Sequence, residues 1–468
     1  MDILASVYLF LSSLFLSIVP GREFKEGVFQ QPTSFYPVLA QNSIEKTVSK
    51  LIFRGLFKYN IYGELENDLV DSYEISEDGL TYTFKIKDNQ YWIDGKKITS
   101  EDILYTSYNS QSLQGISTDK IDDLTVKFKL QNKYSPFISL MTQGIVQNNS
   151  LEKGNDLNPV SSGDFRVVRV KRSGPILKEI TLYSSKYKIS KLTYRFYSSE
   201  SELFTAAKLG EIDAFTTEQE HSLPNFSNYR YPIISNSYGL FFNMSKDRLI
   251  DLNLRKNIAK VIDYDEIVQK YGIPVEGVIS KDAIYTDKKT NISPFDPKFR
   301  ENYSEKEIVI KSTKSIRNTE VLNGLKNYLE DSLKLSIEIK LYSNEEFIEE
   351  VVKKKDFDVI FFGIETQKDP DRYINWHSSG VKSGFNFTLY QNPIADKALE
   401  EGRSITDLNK RIVNYNKFQE VFNKDLPAIY LFHPFNNFYI SNRVTGVGEK
   451  YTFDSTDRYL DFSNWAIN

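Results

Sequence analysis

Between residues 306 and 365 the sequence changes its period four times. KEIVIKST (306–313), LSIEIKLYS (335–343) and FDVIFFGIE (357–365) are β-rich runs, while 319–334 and 344–353 carry apolar residues at helical spacing. Strand–helix–strand–helix–strand is the order of an α/β layer. Parallel neighbours need a crossover, and a helix supplies it. An all-helical bundle and an all-β sandwich are both excluded for this stretch.

The rest of the chain alternates in the same way. IEKTVSKLIFRGLFKYN (44–60) places apolar residues at 44, 48, 51, 52 and 56, which predicts a helix. YEISEDG (73–79), LTYTFKIKD (80–88) and YWIDGKKIT (91–99) read as strands joined by Asp-Gly turns. Thr99-Ser100-Glu101-Asp102 supplies a cap and first-turn acids for the helix that follows. Strands are expected at 124–130, 165–170, 191–197, 238–245 and 427–434, and a helix from about 393 to 424, broken near Gly402 and Thr406. The chain has no internal repeat and no low-complexity tract.

Residues 3–19, ILASVYLFLSSLFLSIV, carry no charge. Seventeen helical residues span about 26 Å, the low end for crossing a bilayer. A retained membrane anchor and a cleaved signal both fit. The boundary at Ser17–Gly21 lacks the small-residue pattern of a cleavage site, which favours the anchor. The flanking charges do not direct the C-terminal bulk outward, because Arg22 and Lys25 follow the run and no cation precedes it. Nothing else is apolar for that long, so the remainder is expected to fold as a soluble module.

At roughly 100–200 residues per domain, 468 residues imply two to four domains. A net charge of −4, with no basic block, argues against nucleic-acid binding. Cysteine is absent, which removes disulfides, thiolate metal sites, a thiol nucleophile and a lipid attached through cysteine. His221, His377 and His433 are far apart in sequence, so a histidine-built metal centre is not expected. No GxSxG, HExxH or GxxxxGK[ST] motif appears, and no enzymatic role or cofactor is expected. A carboxylate pair of the glycosidase kind carries no sequence signature, so an extracellular hydrolase stays open as the rival class. The 14% aromatic content suits a permissive binding cleft, but an AT-rich genome explains most of it.

Several blocks together resemble the extracellular solute-binding proteins of family 5, the peptide receptors of ABC importers. They are Arg54-Gly55-Leu56-Phe57-Lys58-Tyr59, the long LVDSYEISEDGLTYTFKIKDNQYWIDGKKITSEDILYT (69–106), Ser162–Val167 and Leu209-Gly210-Glu211-Ile212-Asp213. Phe242-Asn243, Arg255, Ile262-Asp263, Asp369-Pro370, Trp376-His377-Ser378-Ser379 and Tyr390-Gln391-Asn392 complete the series in family order, from about 26 to 447.

The resemblance implies an α/β, two-lobed periplasmic-binding-protein-like fold of type II, with ligand enclosed between the lobes and the apolar helix in front. Lobe I would comprise 22–42, 158–240 and 433–468, with an inserted subdomain at 43–157; lobe II would be 241–432. Crossing strands are expected near Ser237–Asn243 and Leu431–Phe435. The implied activity is peptide capture for an ABC permease by a monomer at the periplasmic or extracellular face of the cytoplasmic membrane, anchored through residues 3–19. A sugar or metal-complex receptor and a tethered sensor remain alternatives.

An extended peptide offers a cationic amine, backbone amides and side chains, so its cleft needs a carboxylate and aromatic pockets. GIETQKDPDRYINWHSSG (363–380) concentrates these groups. The expected ligand-binding residues are Tyr36, Glu365, Asp369, Asp371, Tyr373 and Trp376, with Tyr238 and Asn243 at the hinge. In peptide-binding relatives an aspartate just before the Asp-Pro holds the amine; here the aligned stretch reads Glu365-Thr366-Gln367, which makes Glu365 its replacement. Asp-Pro-Asp is also a common helix start, so a purely structural role for Asp369 is the competing reading.

Overall fold

A computed structural model describes residues 22–279, 295–383, 385–450 and 452–468. The apolar run 3–19 lies outside them. Among the described residues no helix is long and apolar enough to cross a membrane.

The chain divides into two compact units. Unit 1 is Met1–Lys133, Phe137–Tyr231 and Asn436–Asn468; unit 2 is Pro232–Phe435 with the three residues Tyr134–Pro136. The expected insert 43–157 thus falls in unit 1 except for that tripeptide.

In unit 1, β1 (Glu23–Val28) is followed by a hairpin, β2 (Phe57–Tyr59) and β3 (Leu65–Asn67). A four-stranded antiparallel sheet follows, made by β4 (Val70–Ile75), β5 (Thr81–Ile86), β6 (Ser117–Lys120) and β7 (Thr125–Lys129) in the order β4-β5-β7-β6. The main sheet adds β8 (Arg166–Ser173), β9 (Ile176–Tyr183), β10 (Lys191–Phe196) and β11 (Ala214–Thr217). Its order is β8-β9-β10-β1-β11, with β1 parallel to β10 and β11, and the strand from Asn437 to Ile440 closes it antiparallel to β11. β12 (Phe226–Pro232) ends at the unit boundary.

Two readings of this region change. The helix expected over 44–60 is Ser43–Ile52 only. At Gly55 a Cβ would come within 2.8–2.9 Å of the Thr142, Gln143 and Phe57 carbonyl oxygens, so the chain here must run extended against neighbouring backbone. The run 91–99 forms a turn closed by the Gly95 amide on the Trp92 carbonyl (2.9 Å) and one bridge, Tyr91 to Lys97. Gly95 sits at φ 82°, the region that favours glycine.

Unit 2 holds β13 (Asn236–Phe242), β14 (Gly272–Pro274), β15 (Glu307–Thr313), β16 (Ser336–Tyr342), β17 (Val359–Glu365) and the first part of β18 (Ala428–Ser441). The order is β16-β15-β17-β13-β18, with β15 parallel to both neighbours. Strand periodicity sorts its residues onto two buried faces. Leu240, Phe242, Phe361, Ile429 and Leu431 point one way, onto the helices Leu252–Val261 and Ile316–Leu333. Phe241, Ile360, Ala428 and Tyr430 point the other, onto Pro393–Ser404 and Leu408–Asp425. Burial on both faces is why VIFFGI (359–364) shows no polar alternation. At Gly239, where the β13–β18 register shifts, a Cβ would meet the Ile429 carbonyl at 2.6 Å.

Unit 1 is tied together by charge as well as packing. Glu26 on β1 accepts two bonds from Arg458 (3.2 and 2.9 Å) and one from the Tyr459 hydroxyl, all buried. Arg458 also donates to Thr47 Oγ1 (3.0 Å) and the Ser455 carbonyl (2.7 Å). Burial alone pushes Arg458 down, and Glu26 more than reverses this. Phe24, two residues earlier, meets Tyr459, Phe462 and Trp465 edge-on at centroid distances of 5.4–6.4 Å.

Arg458→Met strands the Glu26 carboxylate and is expected to cost about 3–5 kcal/mol in urea unfolding. Adding Glu26→Leu should recover most of that loss; an unchanged midpoint in the single variant would refute the reading. A second buried carboxylate predicts pH dependence. Glu45 accepts from the Thr33 hydroxyl (2.8 Å) and amide (2.5 Å) and from the Gln41 (2.7 Å) and Asn42 (3.1 Å) amides. Burial pushes its carboxyl up, but these donors outweigh burial and hold it below its ordinary 4.5. Its contribution is therefore present above about pH 4.5 and lost as pH falls through the lower folded value. The melting temperature of Glu45→Gln should fall less steeply than wild type below pH 4.5.

Candidate functional site

The segment 365–380 of unit 2 brings together most of the expected site residues, and the structure separates them into two kinds. β17 ends at Glu365, which pairs in register with Asn236 at the start of β13, and the Thr366 amide continues the ladder to the Ser235 carbonyl (2.7 Å). Glu365 is exposed, and among the described residues no cation lies within salt-bridge range of it. At Gly363, two residues before it, a Cβ would meet the Asn236 side-chain oxygen at 2.2 Å and the Tyr238 ring at 2.7 Å. Glycine here lets both side chains lie across the strand end. The Tyr238 ring stacks on Phe432 (5.3 Å, 4°) and carries the Arg317 guanidinium at 4.4 Å from its centroid.

Asp369 and Asp371 are engaged elsewhere. Asp369 Oδ1 accepts from Arg411 Nη2 (2.8 Å), both side chains about 5% exposed, and caps the Asp371 amide (2.9 Å). Arg411 also donates to the Gly402 carbonyl (2.9 Å) and Tyr415 hydroxyl (3.3 Å). Burial pushes Arg411 down and Asp369 more than restores it. Asp371 pairs with Arg403 (3.0 Å) and caps the Tyr373 amide (3.0 Å). Burial pushes Asp371 above its ordinary value against the pull of Arg403. Arg372 is buried and donates to the Asp369 carbonyl (2.8 Å).

The aromatic groups form a stacked column. The His377 ring lies on Tyr373 (4.0 Å, 15°), and the Arg403 guanidinium sits 4.1 Å from the Tyr373 centroid and 4.9 Å from that of Tyr134. The Ser135 amide and hydroxyl donate to the Arg403 carbonyl (2.7 and 3.0 Å), fixing the tripeptide Tyr134–Pro136 within unit 2. Burial and Asp371 push the Tyr134 hydroxyl up to about 12. His377 Nδ1 receives the Ser379 amide (3.0 Å), which requires the proton on Nε2, facing Glu400 (3.1 Å).

The structure places four further expected residues as follows. Trp376 is 1% exposed and packs on Phe422 (4.6 Å) and Phe241, so its ring belongs to the core. Tyr36 is fully buried in unit 1, its hydroxyl bonded to the Ser150 carbonyl (3.0 Å) and Asn155 (2.7 Å). Asn243 is buried in unit 2, donating to the Lys355 and Phe357 carbonyls and accepting from Ser245. It locks a strand end. Tyr238 also lies inside unit 2; the chain leaves unit 1 at Tyr231/Pro232 and re-enters it at Phe435/Asn436, within β18. The residues missed from sequence were Arg403 and Arg411. Their signal was the surplus of acids in Asp-Pro-Asp, which needs buried cations nearby.

The α/β fold is one shared with solved solute-binding proteins. The structure of the ABC transporter substrate-binding protein CtaP from Listeria monocytogenes superimposes with a TM-score of 0.80 at 19% identity, covering 96% of this chain and all of that one. NikZ from Campylobacter jejuni, solved with Ni(L-His), gives 0.73 at 19%, with the same coverage. Residues 64–385 match the family model described as bacterial extracellular solute-binding proteins, family 5 Middle, and the chain belongs to that family. Its relatives include the oligopeptide-binding protein AppA of Bacillus subtilis, 22% identical over 485 residues, or 91% of this chain and 89% of AppA.

Asp369→Asn leaves Arg411 buried without its partner and is expected to lower stability by about 3–5 kcal/mol. Glu365→Gln removes a carboxylate with no ion pair and should change stability by less than about 0.5 kcal/mol. Paired thermal unfolding distinguishes them; equal losses would contradict the division of roles.

Proposed function

We propose that the chain is the peptide-capturing component of an ABC importer, with Glu365 holding the peptide's cationic amine. The observation that carries this is the division of the acids in 365–371. Asp369 and Asp371 are committed to Arg411 and Arg403, and Glu365 is left exposed at a strand end, with no ion pair among the described residues. A carboxylate there places a negative charge beside backbone able to continue a strand ladder, the combination an extended peptide with a free N-terminus requires. The similarity to AppA, an oligopeptide-binding protein, supports the ligand class. The Ni(L-His) of NikZ supports a second reading, a receptor for another amine-bearing ligand such as an amino-acid metal complex. In either case the cargo would pass to a permease in the membrane, and the chain itself would carry out no chemistry. Attachment through residues 3–19 would keep the receptor beside that permease.

Calorimetry with a mixed oligopeptide pool, backed by native mass spectrometry, should detect binding, and no binding by any member would defeat the peptide reading. Glu365→Gln should weaken free-amine peptides by about 10–100-fold, the worth of a charged hydrogen bond, and leave N-acetylated peptides unaffected. Equal losses for both forms would remove Glu365 from the amine site while leaving peptide binding intact.

A further inference from the structure

The hairpin formed by β8 and β9 stands apart from the binding chemistry. Residues 165–178, FRVVRVKRSGPILK, hold five cations and no carboxylate, in a chain of net charge −4. Arg169, Lys171, Arg172 and Lys178 are exposed, and Arg166 lies over the Tyr183 ring at 5.5 Å. None of the five has a carboxylate in salt-bridge range among the described residues. The acid nearest by register, Glu179 opposite Lys171, is engaged by Arg195 at 3.5 Å. The tip is apolar: Gly174 turns the chain at φ 59°, Pro175 is exposed and Ile176 is 53% exposed.

β8 is the edge of its sheet, and edge strands commonly carry cations that discourage pairing with another chain. That accounts for Arg169 and Lys171. It does not account for Lys178, on the interior strand β9, nor for an uncovered isoleucine at the turn. Apolar tip and cationic collar together match the two layers of an anionic bilayer surface: acyl chains below, phosphates above.

We propose that the β8–β9 hairpin is a membrane-surface contact, in which Ile176 enters the interface of an anionic phospholipid layer and Arg169, Lys171, Arg172 and Lys178 bind its headgroups. The site is separate from any attachment at the N-terminus. The start of β1 aligns through β10 and β9 with Arg166, and the tip lies seven residues further along β8, about 24 Å away.

The absence of cysteine makes the test specific, because Ile176→Cys in the full chain places a single environment-sensitive fluorophore at the tip. Phosphatidylglycerol vesicles should shift its emission to the blue and phosphatidylcholine vesicles should not. The same label at Tyr62→Cys, an exposed position on the β2–β3 turn, should stay unshifted. Arg169→Glu, Lys171→Glu and Arg172→Glu combined should weaken the tip response by at least about a hundredfold. Independently of that variant, about 0.5 M NaCl should abolish the response of the unreversed hairpin. No shift with phosphatidylglycerol, an equal shift with phosphatidylcholine, or a shift that survives both salt and charge reversal would overturn the proposal. So would binding of inorganic polyphosphate with no vesicle response, which would make the hairpin a polyanion site.

Discussion

Unit 1 depends on a charge that cannot be left alone. Glu26 is on the strand at the middle of its sheet and 1% exposed. A carboxylate in that position is tolerable only if donors surround it. The donors come from Arg458 and Tyr459, 432 and 433 residues away. The same three-residue neighbourhood on β1 also anchors Phe24 against Trp465. The last segment of the chain is therefore held to the first by an ion pair inside an aromatic cluster. A pair of this kind adds little net stability compared with an apolar replacement, but it penalises every arrangement that omits one partner.

Unit 2 uses the same device for a different purpose. Arg411 on the helix Leu408–Asp425 reaches Asp369, and Arg403 on Pro393–Ser404 reaches Asp371, so two helices are pinned to one irregular loop. The consequence for function is subtractive. Once these acids are neutralised, the carboxylate remaining along 365–371 is Glu365, in a stretch that also holds the buried Lys368. On the proposed reading, this pinned loop is the rigid support beside the carboxylate that would bind the amine.

Much of the architecture was legible in the sequence. Periodicity located β15, β16 and β17 and the helices between them, because each buries a regular face. Family-ordered motifs then supplied the fold class. The site was less legible. Trp376 and Tyr36 look like cleft aromatics in one dimension, yet burial is a property of three-dimensional neighbours such as Phe422 and Ser150 that no local pattern reveals. Asp369 is the instructive case: its partner is 42 residues away. The helix expected to reach residue 60 failed for a similar reason, since backbone crowding at Gly55 comes from residues 142 and 143.

Because unit 1 is assembled from both ends of the chain, its order of completion is constrained. The bulk of unit 2 is one uninterrupted stretch, 232–435, to which only Tyr134–Pro136 is added from elsewhere in the chain. Unit 1 cannot satisfy Glu26 until residue 458 exists. During vectorial synthesis or export, β1 would wait through more than four hundred residues with its carboxylate still hydrated. The receptor's sheet would close late, after its other unit had already formed.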